Sequence, residues 1–187
     1  VYPTDAAYKK GSFDLIDVEV KDKGAELEIT IGVNASIEDP WESAKWPTPG
    51  NGFSLQMFQL YVDTDGKVGS GEASALPGMN ATFAEDSRWE KVLIISPQAN
   101  KEITSRLEQK AKGLKDKVVL PTKVTAKGKK VTALVKKADL LGTTAPEKAP
   151  DRAQVVTIGY EAGVPVSVDG RKLDPVALVA ELHAIGG

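Results

Sequence analysis

The chain has no cysteine, a single histidine and two methionines in 187 residues. Disulfides, thiolate metal sites and a cysteine nucleophile are therefore excluded, and a histidine cluster for zinc has no material. No apolar run approaches the roughly 20 residues that a membrane-spanning helix needs. Neither sign of charge dominates: 24 basic and 26 acidic side chains leave a net charge of -2. A nucleic-acid binder draws much of its affinity from neutralised phosphates, so this balance argues against nucleic acid as a partner. The lysines that crowd Lys101 to Lys137 read as a solvated face. Absent too are a Gly-x-Ser-x-Gly elbow and a glycine-rich phosphate loop, so nothing in the sequence points to an enzyme. The first residue is Val1, as in a processed protein or an excised domain.

What is present is a globular composition, 41% hydrophobic and 27% charged, long enough to bury a core as one domain over residues 1–187. Period-two alternation runs from Ile16 to Val20 and from Ala25 to Val33 across a Lys23-Gly24 turn, predicting an antiparallel hairpin with one buried face. Phe53 to Asp63 is apolar on both faces, as in a central strand. Trp89 to Ser96, Val118 to Val124, Lys130 to Val135 and Ala153 to Tyr160 supply further strands. Lys101 to Lys112 fits a short helix or a polar strand, and both stay open. Lys137 to Gly142 reads as a turn of helix ending at glycine. Asp174-Pro175 opens a closing helix through Ala184, with Asp174 as N-cap and Pro175 in the first turn. The expected fold is an all-β antiparallel sandwich with a short C-terminal helix.

Two long loops interrupt the strands. Asn34 to Asn51 carries Pro40, Pro47, Pro49 and two of the three tryptophans, Trp41 and Trp46; the second loop spans Asp63 to Asp86. Several blocks around them, Asn51-Gly52-Phe53-Ser54-Leu55-Gln56, Leu60-Tyr61-Val62-Asp63-Thr64-Asp65, Gly69-Ser70-Gly71 and Ala75-Leu76-Pro77-Gly78-Met79-Asn80-Ala81, resemble the signature of the module at the C-terminus of glucodextranases and some pullulanases and amylases. Tyr2-Pro3-Thr4-Asp5, Gly11 to Leu15 and Asp39-Pro40-Trp41 are similar as well. The resemblance spans about Tyr2 to Glu90. It implies a β-sandwich akin to family-nine carbohydrate-binding modules and DOMON domains. It also implies a non-catalytic role in holding a polysaccharide or cell-surface glycan, outside the cell or on its surface, beside an attached glycoside hydrolase domain.

Within that frame Trp41, Trp46 and Trp89 are candidate stacking surfaces for sugar rings, with Asn51 and Gln56 as hydroxyl partners. Asp63-Thr64-Asp65-Gly66, with Glu72 as a third carboxylate, suits a hard cation such as Ca²⁺; an ordinary Asp-Gly turn accounts for the same residues. Two other readings remain open. Haem-binding DOMON relatives raise the question of Met57, Met79 and His183 as ligands, although Met57 falls in phase with core positions. A surface protein-assembly module is the other.

Overall fold

Alternation becomes a sandwich through two hairpins that share a sheet. In the computed structural model, which describes residues 4–141, 156–161 and 164–186, the chain divides into two compact units, Val1–Leu141 and Gly142–Gly187. In the first, β1 (Leu15–Asp22) turns into β2 (Glu26–Val33) through Gly24, whose φ of 82° is open to glycine at no steric cost. Asp22 Oδ1 accepts the Gly24 N–H at 2.8 Å and fixes the turn. The strand β7 (Lys130–Lys136) lies against β2, with Ile31 opposite Val131 and Ile29 opposite Ala133. It is hairpinned to β6 (Lys123–Lys127) across Gly128. The four strands run antiparallel in the order β1-β2-β7-β6.

A second sheet orders β3 (Phe58–Val62), β4 (Lys91–Ile95) and β5 (Val118–Val119). The β3–β4 pair is antiparallel, but β4 and β5 are parallel. Parallel neighbours need a long crossover, supplied here by α1 (Asn100–Lys110). This settles the lysine-rich segment as helix. Ile29, Ile31, Val131, Ala133 and Val135 from the first sheet meet Leu93, Ile95 and Val119 from the second, with Phe53 wholly buried among them. On the far side of β4, Val92 and Ile94 pack with Trp89, Leu76 and Ile103 of α1. Buried on both faces, β4 reads as an unbroken apolar run, Val92-Leu93-Ile94-Ile95.

Two expectations need correcting. The predicted strand from Phe53 shortens to β3, and the residues before Phe58 form irregular chain that buries Phe53 and Gln56. The predicted buried face of β1 is not buried: all eight of its residues are exposed. Val18 and Val20 continue the row of Ile31 and Ile29, but β1 is an edge strand, and none of its residues joins the core between the sheets. The helix expected at Lys137 is α2 (Lys137–Leu141); its glycine stop, Gly142, lies outside the described residues.

The second unit is a small antiparallel sheet, β10-β9-β8, made of β8 (Ile158–Glu161), β9 (Val164–Val168) and β10 (Arg171–Lys172), with α3 (Pro175–Gly186) against β9. Asp174 Oδ1 accepts the N–H groups of Val176 and Ala177, both at 3.0 Å, so it caps α3 with Pro175 in the first turn. The strand predicted from Ala153 begins at Ile158, and Ala153 to Val155 lie outside the described residues.

Candidate functional site

The tryptophan loop is built around one carboxylate. Asp39 accepts the Ser43 N–H at 2.9 Å on each oxygen and the Ser43 hydroxyl at 2.7 Å. The Ser43 Oγ in turn accepts the Gly52 N–H at 3.1 Å, and Ser43 is fully buried. Burial pushes the Asp39 carboxyl up, but hydrogen bonds from the Ser43 N–H and from the Ser43 and Ser54 hydroxyls outweigh it and hold the group below the ordinary aspartate value. The Trp41 N–H donates to Ser54 Oγ at 3.2 Å, and the Trp46 indole N–H donates to the Trp41 carbonyl at 2.9 Å. Pinned in this way, Trp41 keeps 47% of its surface in solvent. Its ring meets Tyr8 edge-on at 6.0 Å, and Tyr8 lies 5.6 Å from Phe13, itself 43% exposed. Phe13, Tyr8 and Trp41 thus form a ledge of three aromatic rings.

The five residues expected around a glycan are scattered by the fold. Trp41 and Trp46 stay together. Trp89 is inside the protein, its indole N–H donating to the Ser74 carbonyl at 3.1 Å and its ring 5.0 Å from Tyr61. Gln56 is equally buried and donates to the Ser12 carbonyl at 3.0 Å. Neither offers a surface to a polymer outside. Asn51 uses its amide to tie the loop down, donating to the carbonyls of Ser96 at 2.8 Å and Gln98 at 3.2 Å. Tyr8 and Phe13 were missed. Their signal in the sequence is a pair of aromatics flanking Gly11, whose φ of 92° bends the chain back so closely that a Cβ there would stand 2.8 Å from the Asn34 carbonyl oxygen.

The acidic loop gathers a different trio from the one expected. Carboxylate oxygens of Asp63, Asp65 and Glu90 all lie within 4.8 Å of one another. Glu72 is drawn elsewhere: it bridges backbone to backbone with Trp89, and its carboxylate pairs with Lys117 at 2.5 Å. Glu90 takes the third place because Gly71 has no side chain; a Cβ there would stand 2.4 Å from Glu90 Oε1. Asp63 Oδ1 accepts the N–H groups of Asp65 and Gly66 at 3.2 and 2.7 Å, and Glu90 Oε2 accepts that of Thr64 at 2.9 Å. The Lys67 N–H and then the Ser70 hydroxyl hold the Asp65 carboxyl below its ordinary value. Three hard oxygen donors, with the Ser70 hydroxyl between Asp65 and Glu90, are a set that fits Ca²⁺, and the turn hydrogen bonds hold the same loop without it.

Met57 is not a core residue as its phase suggested. It is half exposed and lines an open groove of about 420 Å³ with Met79, Tyr61 and Phe83. The His183 side chain lies outside the described residues. No helix among the described residues is long and apolar enough to cross a membrane.

Comparison with known proteins gives two results. The profile of the SLH-like C-terminal binding module of glucodextranase matches residues 1–179. Short segments are similar to argininosuccinate synthases. The enzyme of Koribacter versatilis is 57% identical over 44 residues, 24% of this chain and 11% of that protein. That of Methanosarcina barkeri is 53% identical over 45 residues, again 24% and 11%. That of Rhodococcoides fascians is 62% identical over 40 residues, 21% and 10%. The chain spans only about a tenth of the length of these curated relatives, so the likeness concerns one segment of each enzyme.

Proposed function

We propose, for a chain that belongs to the family of SLH-like C-terminal binding modules of glucodextranase, that it holds a polysaccharide at or outside the cell surface by stacking sugar rings on Trp41 and its neighbours. The family is one of binding modules rather than catalytic domains. The observation that carries the reading is the aromatic ledge itself. Three rings held in contact at the surface, one of them a tryptophan pinned through its backbone N–H, present a contiguous apolar area of the kind that marks a binding surface. The C–H faces of sugars match such rings. An attached glycoside hydrolase domain would be kept near its substrate by this module.

Affinity electrophoresis through gels containing α-glucan, xylan or cell-wall polymer tests the proposal. Retardation in one of these gels, lost in Trp41→Ala, is the expected result. Unretarded migration in all of them, with calcium present, rejects it. As part of the same proposal, Asp63, Asp65 and Glu90 hold Ca²⁺ and stiffen the loop after β3; their clustering supports this. A second reading, haem binding, draws on the shared groove of Met57 and Met79. It predicts a shifted Soret band on haem titration, and an unshifted band disposes of it.

A further inference from the structure

Beside the ledge, a cleft of about 190 Å³ opens between the tryptophan loop and α1, lined by Trp46, Pro47, Thr48, Gln98, Glu102 and Arg106. Its two walls are distant in sequence and are tied across the cleft, where the Thr48 hydroxyl donates to Glu102 Oε1 at 2.6 Å. That bond has a consequence one helical turn further on. Glu102 and Arg106 stand at i and i+4, a spacing at which acid and base ordinarily pair. Glu102 is turned to Thr48 instead, and Arg106 makes no hydrogen bond or ion pair among the described residues. The backbone of Gln98 is fixed: its N–H donates to Ser96 Oγ at 3.1 Å and its carbonyl receives Asn51. Its side-chain amide has no partner among the described residues.

Three planar polar groups thus border one half-buried indole: a carboxylate, a carboxamide and a guanidinium. Each can bridge two adjacent hydroxyls, the carboxylate accepting, the guanidinium donating and the carboxamide doing either. One acidic and one basic side chain leave the lining with no net charge, which favours a neutral ligand. The volume falls below the about 300–1,000 Å³ typical of sites for drug-sized ligands, so the cleft admits one ring and not a stretch of chain. We infer that this cleft is a one-ring subsite for a neutral hexopyranose unit, whose C–H face lies on Trp46 and whose adjacent hydroxyls are taken by Glu102, Gln98 and Arg106. The inference rests on the carbohydrate-binding reading and extends it from an aromatic surface to a pocket with polar selectivity. The Trp46 indole N–H bond to the Trp41 carbonyl makes ledge and cleft neighbours in one loop.

The test uses the full chain in two measurements. In the gel that retards the wild type, Arg106→Ala and Gln98→Ala each weaken binding about tenfold, the loss expected when a hydrogen bond to a charged group or to a partly buried amide is removed. Both sites lie on the surface of α1 or just before it, so far-UV circular dichroism and thermal midpoints stay at wild-type values. In solution, methyl α-D-glucopyranoside quenches tryptophan fluorescence in the wild type and in Trp41→Phe but not in Trp46→Phe. Retardation that is lost in Trp41→Ala yet unchanged in both Arg106→Ala and Gln98→Ala overturns the cleft while leaving the ledge in place. A wild type that is neither retarded by any polymer nor quenched by the glycoside removes cleft and ledge together.

Discussion

Removing the Asp39 carboxylate should loosen the ledge from beneath without touching an aromatic ring. In Asp39→Ala the Ser43 N–H and hydroxyl lose their acceptor while Ser43 remains fully buried. A buried donor left unpaired costs about 1–3 kcal/mol. Because Asp39 is itself only partly buried, water can reach part of the gap, and a total near 2 kcal/mol is the better expectation. For a chain of this size each kcal/mol lowers the midpoint by about 2–4 °C, giving a fall of about 4–8 °C. Asp39→Asn keeps one acceptor oxygen and should lose about half as much. The assay is thermal unfolding followed by circular dichroism, paired with polysaccharide retardation. Trp41 is two residues away and hydrogen-bonds Ser54, which also serves Asp39, so retardation should weaken in step with stability. An Asp39→Ala midpoint within about 1 °C of wild type would refute the claim that this carboxylate organises the loop.

The same group sets an acid limit. Its pKa is depressed by folding, so the stability it contributes is present above the ordinary aspartate value of 3.8 and is lost as pH falls through the folded value. Melts between about pH 5 and pH 2 should therefore show a loss that Asp39→Asn lacks. Calcium at about a hundred times its dissociation constant should add roughly 2.7 kcal/mol, or about 5–11 °C. Comparing melts in calcium and in chelator, Glu90→Gln should abolish that gain and Glu72→Gln should leave it; identical curves for the wild type would make the loop a turn only. Gly71→Ala should cost about 1–3 kcal/mol by denaturant unfolding, since φ is 76° and the new Cβ would meet the Trp89 carbonyl oxygen at 2.8 Å. Leu93→Ala, between the two sheets, should cost about 2–5 kcal/mol in the same assay.

Most of the framework was legible because each strand carries its own signature. Ala25 to Val33 alternates, β4 is a solid apolar run, and Asp174-Pro175 announces α3. The failures are of one kind. Alternation in β1 shows which face is apolar, yet only the extent of the opposing sheet decides whether that face is covered, and three short strands stop at β2. The segment Lys101 to Lys112 has two well-placed apolar residues, Ile103 and Leu107, four apart. That is too few to separate a helical stripe from a polar strand until a parallel partner for β4 demands a crossover.

The candidate site divides along the same line. Proline and tryptophan marked the Trp41–Trp46 loop, since a proline-rich segment without period cannot join a ladder and must lie on the surface. Burial of Trp89 and Gln56 was not legible, because the groups that satisfy them, the Ser74 and Ser12 carbonyls, are 15 and 44 residues away. The swap of Glu90 for Glu72 follows from a single bridge: pairing Glu72 with Trp89 turns Glu72 toward Lys117 and sets Glu90 beside Asp63 and Asp65. A local motif therefore names the carboxylates that start a cation loop, whereas the residue that closes it is chosen by strand pairing. The tryptophan loop obeys the same rule. Its own residues supply the rings, but Glu102 and Arg106 on α1 and Gln98 just before it, the polar groups that would give those rings selectivity, arrive with the crossover that the parallel β4–β5 pair requires.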